Sequence, residues 1–121
     1  MILVIGGACS GKRAYVKGLG YGEEDIADAV LDGRPVLDRL HALVARDPAG
    51  AMALLEPLCA KAAVICDEVG SGVIPADPAE RLMREQTGRL CCRLAQRAER
   101  VVRLVAGIPV TIKGGSAWKS G

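Results

Sequence analysis

Gly6-Gly7-Ala8-Cys9-Ser10-Gly11-Lys12-Arg13 has the residue types and spacing of a loop that cradles phosphate. Its glycines let successive backbone N–H groups turn toward an anion, and Lys12 supplies a point charge to the outer phosphates of a nucleotide, GTP or ATP. Such a loop ordinarily continues Gly-Lys-Ser or Gly-Lys-Thr, the hydroxyl serving as a ligand to Mg²⁺. Arg13 stands there instead, and a guanidinium has five donors and no acceptor, so it cannot ligate a cation. The bland alternative is a glycine-rich turn that only joins a strand to a helix.

A second concentration of chemistry is Ala63-Val64-Ile65-Cys66-Asp67-Glu68. Four apolar residues followed by two carboxylates is the pattern of a strand that delivers Asp67 to orient Mg²⁺ and Glu68 to act as a base. Asp32, which closes the apolar run 26–31, is a rival for the metal-orienting role if its strand lies beside the first one. Both aspartates could equally be acidic caps on strand ends. The next residues, Gly70-Ser71-Gly72, suit a tight loop over a ligand, with Pro75 stiffening its exit. Arg81, Arg84, Glu85 and Arg89 recur at helical spacing, a stripe expected to face solvent; turned inward, Arg84 or Arg89 would hold phosphate.

These groups need elements to carry them. Residues 1–5 form an apolar run suited to a buried parallel strand, and residues 14–19 suit a helix, so the loop sits between strand and helix. Residues 35–46 place Val36, Leu37, Leu40, Leu43 and Val44 at helical spacing behind Pro35. Pro48 ends that helix, and 49–61 read as a further helix that Pro57 kinks. Residues 62–66 are a strand, 78–97 a long helix, 101–106 a strand and 109–113 a last short strand. Alternating strands and helices predict an α/β fold, a mostly parallel sheet flanked by helices on both faces. One nucleotide-binding domain over 1–113 is expected, with 114–121, including Trp118, as a mobile tail.

Composition narrows the function. The 121-residue chain has 16 basic and 14 acidic side chains, a net charge of +2, no Phe, one Trp and two Tyr. The charges are interspersed and aromatic platforms are lacking, which sets nucleic acid aside as a partner. Cys9, Cys59, Cys66, Cys91 and Cys92 form no Cys-x-x-Cys pair, and the odd, scattered set predicts reduced thiols. Cys9 could gain reactivity inside the loop, although a small residue tolerated in a turn explains it as well. No signal segment and no membrane-spanning run are legible, so no membrane association and a cytoplasmic location are expected.

Residues 2–12, the block Glu68-Val69-Gly70-Ser71-Gly72-Val73-Ile74-Pro75, Arg81, Gly88 and Leu104-Val105-Ala106-Gly107-Ile108-Pro109 together resemble the bifunctional adenosylcobinamide kinase and adenosylcobinamide-phosphate guanylyltransferase family of cobalamin biosynthesis. The resemblance covers the first 20 residues and roughly 62–113, and is weak between. It implies a P-loop, RecA-like fold in a homo-oligomer. It also implies phosphorylation of the adenosylcobinamide hydroxyl, then GMP transfer from GTP through a guanylylated histidine. The chain departs from the family at Arg13, at Asp67 where the family has Asn, and at Cys91-Cys92 where it has Asn-Gln. The stretch that carries the histidine is missing, and His41, the one histidine, sits in an apolar helical pattern with no matching motif. Two functions stay open: a minimal kinase in which Lys12 clamps phosphate and Asp67 or Asp32 orients Mg²⁺, or a non-catalytic nucleotide-binding regulator or subunit partner.

Overall fold

The computed structural model describes residues 1–68 and 77–114. The Gly70-Ser71-Gly72 loop, Pro75 and the tail with Trp118 lie outside the described residues. Six strands form one sheet: β1 (Ile2–Gly6), β2 (Ile26–Asp28), β3 (Val36–Asp38), β4 (Ala63–Asp67), β5 (Arg100–Val105) and β6 (Ile108–Lys113). Their order is β2-β3-β4-β1-β5-β6, parallel except for β6, which folds back on β5. The strand before the phosphate loop is thus central, as expected for a strand buried on both faces.

Alternation along each strand builds two cores. Leu3, Val64 and Cys66 point to the face covered by α2 (Leu40–Arg46), α3 (Leu55–Cys59) and α4 (Pro78–Arg97), where Leu40, Val44, Leu58, Leu90 and Leu94 are buried. Val4, Ala63 and Ile65 point the other way, against Val16 of α1 (Lys12–Gly18). Helices on both faces of a mostly parallel sheet confirm the α/β class. The long helix is bounded as its caps dictate: the Asp77 side chain accepts from the Ala79 N–H at 3.0 Å, and Pro78 occupies the first turn. Among the described residues no helix is long and apolar enough to cross a membrane.

The sequence expectation fails in the middle. Residues 35–46 are two elements, because Arg39 adopts a left-handed conformation with φ 56° and breaks the run after three residues. Val36 and Leu37 are buried on opposite faces, a strand signature that their apolar spacing with Leu40 and Val44 masks. Residues 49–61 are likewise a 3₁₀ stretch (Pro48–Leu54) followed by the short α3. The apolar run 26–31 pairs only as far as Asp28, since Ala29 turns the chain at φ 55°.

Candidate functional site

The phosphate loop leaves the carboxyl end of β1 and enters α1. Gly6 is required by close approach: a Cβ there would lie 2.7 Å from the Leu104 carbonyl oxygen and 2.6 Å from Ser10 Oγ. Gly11 has φ 91°, a conformation that favours glycine. Three bonds pin the loop. The Gly6 carbonyl accepts from Glu68 N–H at 2.7 Å, Gly7 O accepts from Lys12 Nζ, and Ser10 O accepts from Gly107 N–H at 3.0 Å. The last of these comes from the tip of the β5–β6 hairpin, whose Ala106 and Gly107 both have positive φ, as a two-residue turn of this hand demands.

Lys12 is 6 % exposed. Besides Gly7 O, its ammonium meets Asp67 Oδ1 at 2.7 Å, at the end of the neighbouring β4. A buried ammonium needs such a partner. The loop from Ala8 to Arg13, with Asp38, Arg39 and Asp67, lines an open cavity of about 490 Å³, within the range of small-molecule sites. Cys9 is exposed, in a left-handed conformation with φ 58°.

Arg13, at the cavity wall, reaches two carboxylates. Its Nη1 donates to Asp38 Oδ2 at 2.8 Å and its Nη2 to Glu23, which Lys17 also engages. Bonding to Glu23 first, and to Asp38 against the cost of burial, raises the guanidinium above its ordinary value. Arg13 and Lys17 hold the Glu23 carboxyl down to about 2. Asp38 ends β3, its side chain is only 11 % exposed, and it is the carboxylate that faces position 13. Sequence reasoning missed it because residues 35–46 looked helical throughout. Arg39 was missed with it; its Nε bonds Asp28 Oδ1 at 2.6 Å.

The remaining candidates divide. Asp67 is in the site, but bound to Lys12 rather than opposite Arg13. Asp32 is not. It lies beyond the end of β2, which β3 and β4 separate from β1, and its carboxylate is held by Arg34 Nη2 at 2.7 Å, while Lys61, just before β4, bonds its carbonyl. It therefore sits at the amino end of the sheet, and Arg34 accounts for its carboxyl falling to about 2. Glu68 borders the loop, yet Arg103 of β5 grips both its oxygens at 2.6 and 3.1 Å, so it offers no free base. A charge in the middle of the apolar run Val101-Val102-Arg103-Leu104-Val105 was the available signal for Arg103. Arg84 and Arg89 line a separate groove on α4 with Met52 and Gly88, away from the phosphate loop.

His41 is nearer the site than its helical pattern suggested. It stands in the first turn of α2, half-buried, where Nδ1 accepts from the Asp67 N–H at 3.4 Å and Nε2 lies 3.5 Å from Asp67 Oδ2. Both ring nitrogens thus face one residue. Cys66, one position earlier, is buried in the core against Cys91 of α4, and that contact together with burial pushes its thiol up.

The family model for cobinamide kinase / cobinamide phosphate guanyltransferase matches residues 36–112, well over half of the chain. The chain belongs to this family. The match begins at Val36 and so takes in Asp38, His41, Asp67, Glu68 and the hairpin that braces the loop, including a stretch whose likeness the sequence motifs left weak. The phosphate loop precedes it. No curated protein matches the chain. Family membership brings with it a nucleotide-related function in cobalamin biosynthesis, and GTP or ATP are the nucleotides that family members use.

Mg²⁺ does not fit these residues. An ion bound to a loop of this kind is held by a hydroxyl at position 13 and a strand-end aspartate. Here the guanidinium at position 13 is bonded to the aspartate that faces it, and the other nearby carboxylate holds Lys12. Among the described residues no three His, Cys, Asp or Glu side chains converge on a point that could hold a metal ion.

Proposed function

We propose that the chain is a nucleotide-binding member of its family, taking GTP or ATP at the loop from Gly6 to Arg13. The observation that carries this is Lys12, an ammonium in a cavity of nucleotide-phosphate size at the carboxyl ends of parallel strands, where open α/β sheets bind ligands. Lys12 leaves Gly7 O for the outer phosphates, and Asp67 steers it. Between the two functions left open by the sequence, the closed Arg13–Asp38 pair favours the non-catalytic one, a regulator or subunit partner acting in the cytoplasm.

The kinase alternative assigns Lys12 to the transferred phosphate, Asp67 to orientation and Glu68 to the base. Against it, Glu68 is engaged by Arg103. Guanylyl transfer through His41 is disfavoured more strongly, because a nucleophilic imidazole needs one nitrogen free for the phosphorus and both of these face Asp67. The homo-oligomer implied by the family resemblance belongs to the same reading, with a second copy of the chain as the partner.

Incubation with adenosylcobinamide, Mg²⁺ and GTP or ATP, followed by mass spectrometry, separates these readings. Unchanged adenosylcobinamide beside measurable nucleotide binding is the expected result. A phosphorylated corrinoid would establish the kinase, and a GDP-linked one would restore the transferase. Absence of nucleotide binding would remove the proposal.

A further inference from the structure

We infer that the loop selects the free nucleotide polyphosphate over its magnesium complex, with the Arg13 guanidinium standing in the metal's place. The inference rests on nucleotide binding at this loop and adds to it the ionic form of the ligand. Three basic side chains, Lys12, Arg13 and Arg39, face the cavity together with two carboxylates, Asp38 and Asp67. Each carboxylate is already matched by a cation, at 2.8 Å for Arg13–Asp38 and 2.7 Å for Lys12–Asp67.

Magnesium keeps several waters and an octahedral shell when it binds beside phosphate. To enter next to Asp38 it would have to displace a guanidinium from a carboxylate that is only 11 % exposed, leaving the arginine charge beside a divalent ion. No comparable cost attends the bare polyphosphate. Asp38 fixes the guanidinium through Nη1, and the second contact of Arg13, to Glu23, is at an exposed carboxylate where exchange is easy. Chelating Mg²⁺ also returns two negative charges to the ligand, which the ammonium of Lys12 and the guanidinium of Arg13 at the cavity wall attract.

The test is isothermal titration of the full chain with GTP and with ATP, once in EDTA and once in excess Mg²⁺. Expected is a Kd about tenfold lower in EDTA, the order of effect that a change of two ligand charges near a partly exposed cation produces. An equal Kd, or one that falls when Mg²⁺ is added, overturns the inference while leaving nucleotide binding intact. No heat under either condition overturns both. Arg13→Ser should reverse the order, so that Mg²⁺ strengthens binding, because a hydroxyl then faces Asp38. Arg13→Gln, which retains bulk without charge, should abolish the preference for the free anion. Retention of the wild-type preference in the folded variants, checked by thermal melting, would refute the role given to Arg13.

Discussion

At the scale of single residues, the site is a set of ion pairs whose members have unequal tasks. Lys12 is buried and, in the proposed function, meets the nucleotide phosphates, so Lys12→Ala should weaken GTP and ATP binding by ~10- to 100-fold, the value of one or two charge-assisted hydrogen bonds. Equilibrium dialysis measures it, and an unchanged Kd would place the nucleotide elsewhere. Glu23 makes a different prediction. Its folded pKa, about 2, lies below its ordinary 4.5, so its contribution is fully present above that ordinary value and disappears as pH falls from 4.5 toward 2. Acid titration followed by circular dichroism should therefore show less loss across that window in Glu23→Gln than in the wild type; identical curves would mean the Arg13 and Lys17 contacts do not contribute in solution. Lys12 and its loop were legible because the information is local: eight consecutive residues state it. Asp38 and Arg103 were not, because their meaning depends on which strand lies beside which, and Asp32 was misplaced for the same reason.

Among elements, the β5–β6 hairpin and β1 hold the phosphate loop from two sides. Gly6 has no room for a side chain, with the Leu104 carbonyl oxygen 2.7 Å from where a Cβ would stand. Gly6→Ala should cost about 2 kcal/mol, in the range for overpacking against backbone that cannot retreat. Thermal melting reads this as a fall of several degrees, and an unshifted Tm would show that β1 and β5 can part freely at this end. Strand and helix existence was legible at both ends of the chain, where α4 runs Pro78–Arg97 as the sequence reading placed it. In the middle, three-residue strands joined to seven-residue helices carry too few side chains for a period to show. Tertiary burial on both faces makes β3 a strand, and neighbouring residues cannot reveal that.

Over the whole molecule, the covered and uncovered ends of the sheet contrast. β1 and β4 are buried between helices, but all six residues of β6, at the sheet edge, are exposed. Ile108 and Val110 alternate along it and share a face, with Val105 opposite Ile108 across the hairpin, and Ile112 follows where the register shifts; the exposures of these four run from 47 to 65 %. An edge of this kind is a template for another strand, and an antiparallel pairing of β6 with its own copy about a two-fold axis is self-complementary. Pro109 and Lys113 limit how long such a pairing can be, which suits a dimer better than an open fibre. Sedimentation velocity at rising concentration should therefore show reversible self-association, and Val110→Lys with Ile112→Lys should reduce it. Because both side chains are exposed in the single chain, the double variant should keep its Tm within the change expected of surface substitutions, about 0.5 kcal/mol each. Unaltered sedimentation in that variant would move the contact away from β6. Loss of association with an unshifted melt would show the aliphatic edge to be an interface, not part of the core.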